Sequence, residues 1–323
     1  MDLTVAIRTF NGALRLPATL EALRRQEGLP ATEWELLLID NNSTDQTCTL
    51  FEDFQKTNPN LHCRLIRESV PGQAAAARRA FGEATAPWIC MVDDDNLLAP
   101  HYLKTGLDYI GGSAANIGAF GGRSVGKFEG SEPAYLKAFC PCLAIWDGGA
   151  VQRPLIRERE HLAGLFLRTE AVRSVMTETW LTTGRSPTCP FGGEDSESIL
   201  KITRRGWQVW YVPELAFQHV IPGHRTKLRS LLRLRVLQGG EVVFLALGYS
   251  DPQKSLTGIA MRQYFIEGWA KFLARILLFC FTPGERRWYH LDQLAMRWGT
   301  IRYFFTGLAK FGLRRGEVSP DLS

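Results

Sequence analysis

The sequence predicts an α/β fold: a mostly parallel central sheet with helices on both faces, followed by a C-terminal helical extension. Three observations carry this expectation. Short, wholly apolar runs alternate with helical patterns through the first hundred residues. The runs end on polar or acidic residues, as strands do at a ligand crevice. After Pro222 the chain turns helical and basic. Strands that are apolar on both faces belong to parallel sheets covered on both sides.

The elements follow in order. "LTVAI" (3–7) reads as the first strand, and "ALRLPATLEALRRQ" has helical spacing at Leu16, Leu20 and Leu23. "WELLLID" (34–40) is the second strand. Ser43 or Thr44 is placed to cap a helix through "TCTLFEDFQKT". "HCRLIRE" (62–68) is the third strand, "GQAAAARRAFGEAT" an alanine-rich helix after a Pro71-Gly72 turn, and "WICMVDD" (88–94) the fourth strand. Between about 110 and 220 the pattern loosens. "GAFGGRSVGKF" reads as strand and turn, "HLAGLFLRTEAV" as a strand entering a helix, and "CPFGGEDSESILKITRRGWQVWYVPE" as loop, helix, strand. "HRTKLRSLLRLRVLQ" opens the helical end. In 257–281, Glu267, Lys271 and Arg275 share one helical face. In 288–310, Leu291, Leu294, Trp298, Ile301, Phe305 and Leu308 form a stripe at spacings of three and four. The expected division is 1–224 for a catalytic domain and 225–323 for a basic amphipathic helical region.

Composition sets outer bounds. The 323 residues suit one large domain or two small ones, and 45% apolar content provides a sizeable core. The seven cysteines show no zinc spacing. Their odd number and the strand pattern at the N-terminus suggest reduced thiols, no secretory leader and a cytoplasmic location. The net charge of +5 conceals an asymmetry: Arg225 to Arg315 carries 16 Lys/Arg against 5 Asp/Glu. Such an end suits nucleic acid, anionic lipid or a phosphorylated substrate. Its arginines interleave with Leu and Phe in amphipathic patterns, which disfavours nucleic acid. No apolar stretch reaches 18 residues, so a spanning helix is not expected. The two basic, aromatic-rich helices fit either an interfacial membrane face or packing on protein. No G-x-G-x-x-G follows the first strand and no G-x-x-x-x-G-K-[ST] occurs, which argues against a dinucleotide-binding domain and a P-loop.

Ligands of such sheets bind at the carboxyl ends of the strands. That gathers Arg8, Thr9, Phe10, Asn11, Asp40 and the run Asp93-Asp94-Asp95 around one crevice. Adjacent carboxylates repel unless a cation neutralises them, and oxygen-rich clusters suit Mg²⁺ or Mn²⁺. Asp93 and Asp95 are two apart, so one can reach a sugar while the other holds the metal. The plainer alternative is a solvated acidic turn capping a helix near Leu98–Tyr102. "GGEDSESIL" (192–200) sets Glu194 and Asp195 at a helix start. There they complement the helix dipole, with Asp195 or Ser196 as cap, and Asp195 is also well placed as a general base. His219 is either a satisfied core histidine or a metal ligand. Arg225, beside His224, either touches a diphosphate or begins a solvated helix. Arg78, on the alanine-rich helix, either meets phosphate or lies at the surface.

Together these residues resemble family-2 glycosyltransferases of the GT-A fold, a Rossmann-like architecture. "VAIRTFNGALRLPATLEAL" looks like the family's opening strand and helix, and "LLLIDNNSTDQT" like its second strand. "GQAAAARRAFGEATAPWICMVDDDN" looks like the segment leading to the D-x-D motif, with Arg79 where Asn is usual. "GGEDSESILKITRRGWQVWYVPE" looks like the acceptor-side ED motif. "DDDNLLAP", "SEPAYLKAFCPCLAIWDGG", Gly184-Arg185 and "QHVIP" resemble, more narrowly, the hormogonium polysaccharide biosynthesis group. The resemblance implies inverting transfer from a nucleotide-diphospho-sugar, by family default a UDP-sugar, to a glycan or lipid-linked acceptor at the inner membrane face. It implies that Phe10 walls the base and Asp40 accepts a hydrogen bond from it. Asp93 and Asp94 would serve ribose and sugar, Asp95 and His219 would hold Mn²⁺ or Mg²⁺, Asp195 would be the base, and Glu194 would orient acceptor or base. Two other readings are a sugar-phosphate nucleotidyltransferase, whose Gly-rich basic signature "AIRTFNGALRLP" lacks, and a catalytically silent nucleotide-binding protein.

Overall fold

The computed structural model describes residues 1–155, 164–182, 184–185, 191–249 and 258–310. The elements run β1 (Leu3–Thr9), α1 (Leu16–Arg24), β2 (Trp34–Asp40), α2 (Thr47–Thr57), β3 (His62–Arg67), α3 (Gln73–Glu83), β4 (Trp88–Asp93), β5 (Asn96–Leu98) and α4 (Tyr102–Gly112). Next come β6 (Ile117–Phe128), α5 (Leu136–Phe139), β7 (Arg153–Pro154), β8 (Phe166–Arg168), α6 (Thr169–Arg173), α7 (Glu194–Arg204) and β9 (Gln208–Ile221). Three long helices close the chain: α8 (Leu228–Gly248), α9 (Gly258–Phe281) and α10 (Arg286–Lys310). Residues 161–163 of the "HLAGLFLRTEAV" pattern, Cys189-Pro190 before the ED segment, and the side chains of Phe305 and Leu308 lie outside the described residues.

The chain divides into two compact units. The first comprises 1–129, 144–189 and 194–221; the second comprises 130–143, 190–193 and 222–323. In the first unit the described strands form one sheet in the order β3-β2-β1-β4-β8-β6-β9-β5, with β7 beside β9. The expected parallel half is present: β1 pairs in parallel with both β2 and β4, and β2 with β3. The second half is mixed, because β8 runs antiparallel to β4 and β6, while β6 and β9 are parallel.

Two apolar clusters cover the sheet. One gathers Leu36, Leu38, Phe51, Trp88, Tyr102 and Phe166, and the other gathers Leu37, Ile39, Phe81, Ile89, Leu167 and Val172. Alternate residues of β2 serve opposite clusters, as the two-residue period of a strand requires. The alanine run of α3 is buried at Ala74, Ala75, Ala76, Ala77 and Ala80, which brings that helix close to the sheet. Glu35 is the charged exception inside β2. Burial pushes its carboxyl up, but Thr4 Oγ1 at 2.6 Å, the Thr85 amide and hydroxyl, and Arg64 together hold it below its ordinary range.

Two local expectations change. α2 begins at Thr47, so Ser43 and Thr44 do not cap it; Asp45 accepts from the Thr47 amide instead. Asp93–Asp95 does not lead into a helix. The chain first makes β5, paired to β9, and α4 starts only at Tyr102.

In the second unit α8 and α10 cross at glycine. A Cβ on Gly239 would lie 2.1 Å from the Met296 carbonyl oxygen, and one on Gly299 would lie 1.9 Å from that of Val236. Arg235 and Asp292 form a buried ion pair between these helices, with Arg235 Nη2 2.7 Å from Asp292 Oδ2. Phe191 packs against Phe244 and Tyr303, and Tyr135 meets Trp288 edge-on. α9 exposes Ile266, Leu273, Leu277 and Phe281, the last 80% accessible. Among the described residues no helix is long and apolar enough to cross a membrane.

Candidate active site

The crevice lies at the carboxyl ends of β1, β2 and β4 in the first unit. β1 is locked between two parallel neighbours, with Arg8 opposite Ile39 on one side and Asp93 on the other. The strand therefore delivers Arg8, Thr9 and Phe10 at a fixed height. Phe10 is 56% exposed beyond the strand end, where its ring is free to wall a planar ligand. Asn11 has a left-handed backbone (φ 48), and its Oδ1 accepts from the Thr44 amide while its own amide donates to Ser43 Oγ. The asparagine thus ties the first crevice loop to the second. Asp40, at the end of β2, is buried and accepts from the Ser43 amide. Asn41 braces the loop after β3: its Nδ2 donates to the Glu68 and Val70 carbonyls and its Oδ1 accepts from the Gly72 amide.

The three consecutive aspartates part company. Asp93 points to Arg8, with Nη2 3.1 Å from its Oδ1. Loss of solvation, then the charges of Asp195 and Asp95, raise its carboxyl above the ordinary range, against the pull of Arg8 and His219. Asp94 turns back into the fold. Arg15 grips it through Nε (2.9 Å) and Nη2 (2.8 Å), and Thr9 Oγ1 donates to it at 2.7 Å. Arg15 also reaches the Phe10 carbonyl, so this fork pins the loop that carries Phe10. Gly12 is obligatory here, because a Cβ would sit 2.1 Å from Thr9 Oγ1 and 2.7 Å from Asp94 Oδ2. Thr9 and Asp94, expected at the donor, therefore spend their polar atoms on each other and on Arg15. Asp95 faces His219, with Oδ2 3.4 Å from Nε2. His219 is held opposite Asn96 by the β5–β9 pairing. Its Nδ1 and the Nδ2 of Asn96 are buried with no hydrogen-bond partner among the described residues.

The ED segment begins α7. Gly193 precedes it with φ 100, a backbone conformation that glycine adopts without strain. Glu194 is buried in the first turn, with Oε1 3.2 Å from Arg8 Nη1. Burial, then repulsion from Asp195, pushes its carboxyl up to about 7, against the opposing charge of Arg8. Gly184 makes room for the other oxygen: a Cβ there would lie 3.1 Å from Glu194 Oε2. Asp195, 57% exposed, lies 3.3 Å from the same Nη1 of Arg8. Asp195 and Ser196 lie within the first turn rather than capping it. Glu197 braces the preceding loop, accepting from the Leu181 and Thr182 amides and from Thr182 Oγ1.

The two expected arginines belong to different units. Arg78 stacks over the Trp180 ring at 5.6 Å, on the loop that Glu197 holds. Arg225 belongs to the second unit. Sequence reasoning set Arg8 at the crevice but gave it no role. The signal was available: one arginine at the end of an apolar strand that had to be buried. Arg15 carried no such mark, because its partner lies 79 positions away.

Among the described residues no group of three or more His, Cys, Asp or Glu side chains is arranged to hold a metal ion. The pair Asp95 and His219 fits a divalent cation whose shell is completed by substrate oxygens and water, as is usual for Mg²⁺. The donor set, a carboxylate oxygen of Asp95 and the His219 Nε2 that faces it, agrees with that fit.

This arrangement, with carboxylates from strand ends meeting an acidic helix start over a half-parallel sheet, is that of the GT-A glycosyltransferase fold. Two solved structures share the fold. A mannosyltransferase of Pyrobaculum calidifontis in complex with GDP-Man and Mn²⁺ aligns at TM-score 0.56 and 16% identity, covering 98% of this chain and 76% of the other. Staphylococcus aureus TarS 1–349 with UDP-GlcNAc aligns at TM-score 0.54 and 14% identity, covering 97% and 92%. Residues 4–139 match the family model described as Glycosyl transferase family 2. A PGL/p-HBAD biosynthesis glycosyltransferase of Mycobacterium tuberculosis is 31% identical over 134 residues, covering 41% of this chain. The match spans 44% of that relative, less than half its length. These matches reach the family and not the hormogonium group within it.

Proposed function

We propose that this chain is an inverting glycosyltransferase that moves a sugar from a nucleotide-diphospho-sugar to a hydroxyl of a glycan or lipid-linked acceptor, in polysaccharide or glycan biosynthesis. The observation that carries the reading is the convergence of Asp93, Asp95, Glu194 and Asp195 on one crevice, divided between two strand-end residues and a helix start. Phe10 walls the base and Asp40 accepts a hydrogen bond from it. Asp93 takes ribose or sugar hydroxyls. Asp95 and His219 would hold Mn²⁺ or Mg²⁺, which supplies positive charge against the diphosphate. Thr9, Asn11 and Asp94 act by fixing the loops that present Phe10 and Asp40. Arg78 acts through Trp180, and Arg225 is assigned to the diphosphate on the strength of its motif alone.

The exposed carboxylate of Asp195 takes the proton of the acceptor hydroxyl. The acceptor oxygen forms its bond to the anomeric carbon from the face opposite the leaving group. The bond from that carbon to the β-phosphate oxygen breaks, and its electron pair leaves with the nucleoside diphosphate. Glu194, buried behind Asp195, holds the base and Arg8 in register. General-base assistance of this kind is worth about 10²–10⁴-fold.

The test is a screen of UDP-, GDP- and dTDP-sugars with Mn²⁺ or Mg²⁺, read as release of nucleoside diphosphate, followed by Asp195→Asn. The substitution should leave donor binding within a few-fold and abolish transfer; an active Asp195→Asn enzyme sinks the assignment. Incubation with a sugar 1-phosphate and a nucleoside triphosphate separates the reading from a nucleotidyltransferase, which would release pyrophosphate. The apolar face of α9 and the excess of Lys/Arg after Arg225 support contact with an anionic lipid surface at the cytoplasmic membrane face. Vesicles with anionic lipid should bind the chain and release it in salt, and Phe281→Ser should weaken that binding.

A further inference from the structure

We propose that Arg8 is a positioning residue of this site: its one guanidinium ties the donor-side carboxylate of Asp93 to the acceptor-side carboxylates of Glu194 and Asp195, and so sets the geometry of transfer. The inference rests on the glycosyl-transfer reading above.

The argument begins with placement. Arg8 cannot drift, because β1 is paired on both sides at its position. Its side chain is only 7% exposed, so the charge is committed to the protein. Nη2 takes Asp93 Oδ1 at 3.1 Å; Nη1 takes Glu194 Oε1 at 3.2 Å and Asp195 Oδ1 at 3.3 Å. A fork with two terminal nitrogens reaches carboxylates from two elements at once, which a single ammonium cannot do.

Among the described residues one arginine faces these three carboxylates, so the cluster is under-neutralised. The raised carboxyl of Glu194 reports that residual repulsion together with burial. The groups that face Glu194 are Arg8 from β1, Asp93 from β4 and Asp195 from its own helix. Removing Arg8 would leave three mutually repelling carboxylates. Asp195, more than half exposed on the first turn of α7, would lose the contact that holds its orientation. The effect should fall chiefly on the rate of transfer, since Arg8 holds the base Asp195 and its neighbour Glu194, whereas the pair that would hold the metal is Asp95 with His219.

The experiment compares wild type with Arg8→Met, which keeps length and loses charge, and Arg8→Lys, which keeps charge and loses the fork. Calorimetry with UDP and Mn²⁺ measures donor-side binding. Steady-state release of UDP or GDP from the sugar nucleotide that wild type accepts gives kcat, KM and their pH profiles. Carboxyl NMR of ¹³C-labelled protein, assigned with Glu194→Gln, follows Glu194 without any need for turnover. In Arg8→Met, kcat should fall about 10²-fold or more, up to the whole general-base contribution. UDP and Mn²⁺ binding should fall much less than kcat, and Glu194 should titrate at higher pH than in wild type. Arg8→Lys should recover the Glu194 titration in part and kcat less. An unchanged kcat profile and an unchanged Glu194 titration in a folded Arg8→Met protein overturn the proposal. So does a fall in thermal stability with neither of those changes. If Arg8→Met does not fold, Arg8→Lys decides by the same readouts. A wild type that turns over no sugar nucleotide defeats the glycosyl-transfer reading; the NMR titration then still judges the role of Arg8 in the cluster.

Discussion

Two buried arginines hold this chain together, and they do so differently. Arg235, in the second unit, meets a single carboxylate: Asp292, across the α8–α10 crossing. Arg8, in the first unit, meets three. The first pair is balanced, and Gln238 and Gln293 add amides at its edges. Burial holds the Asp292 carboxyl above its ordinary range, against the opposing pull of Arg235. The second cluster is short of positive charge, and Glu194 shows it. Balance marks an ion pair that serves the fold, whereas imbalance marks one that awaits a further charge or performs proton chemistry. A buried ion pair is by itself weak evidence of either, so the count of partners is the informative part.

The largest effect should come from unbalancing the balanced pair. Asp292→Ala leaves Arg235 buried and uncompensated and should cost about 3–5 kcal/mol, read as the shift of a urea or thermal midpoint. A loss under about 1 kcal/mol would show that water already reaches the pair.

Next in size is relief of the imbalance. Glu194 ordinarily ionises near 4.5 and here near 7, so the native state binds the extra proton between those values. Stability contributed by this group is present below about 4.5 and is lost as pH rises towards 7. Glu194→Gln removes that loss and should stabilise the protein by about 2 kcal/mol above pH 7, with no gain at pH 4. It should also slow transfer. A Glu194→Gln protein less stable than wild type at pH 8 would mean that Arg8 needs this carboxylate more than it suffers from it.

The smallest effect should follow from removing the balanced pair whole. Arg235→Met with Asp292→Leu exchanges two charges for apolar groups of similar size and should leave stability within about 1 kcal/mol. The same double exchange at Arg8 and Glu194 would be fatal to transfer under the proposed mechanism.

Much of the first unit was legible from sequence, for physical reasons. Its strands are buried on both faces, so β1, β2 and β4 appear as mainly apolar runs whose ends carry the crevice residues. Pattern reading found Asp40, Asp93, Asp95, Glu194, Asp195 and His219, and the fold brings five of these six into the carboxylate cluster and the Asp95–His219 pair; Asp40 sits at the adjoining end of β2. It could not divide the labour among Asp93, Asp94 and Asp95. Which carboxylate turns inward depends on Arg15 and Thr9, and those contacts join segments 79 and 85 positions apart. Arg78 misled because an arginine on a tightly packed helix suggests an anion. Its companion is instead the face of Trp180, which no local pattern announces. The alternative of an acidic turn capping a helix near Leu98–Tyr102 gives way to β5, whose pairing with β9 comes first, and the helix starts at Tyr102.

Gly12 has a practical consequence for anyone reshaping this crevice. Its missing side chain is the space in which the Thr9–Asp94 bond lies. Phe10, just past the strand end and more than half exposed, can be varied to alter what the crevice admits. Position 12 offers no such freedom. An alanine there adds no charge and removes no catalytic group, yet it presses on the latch beneath the Phe10 loop. That makes Gly12→Ala a useful control: it disturbs the loop's footing while leaving every acid and base of the site intact.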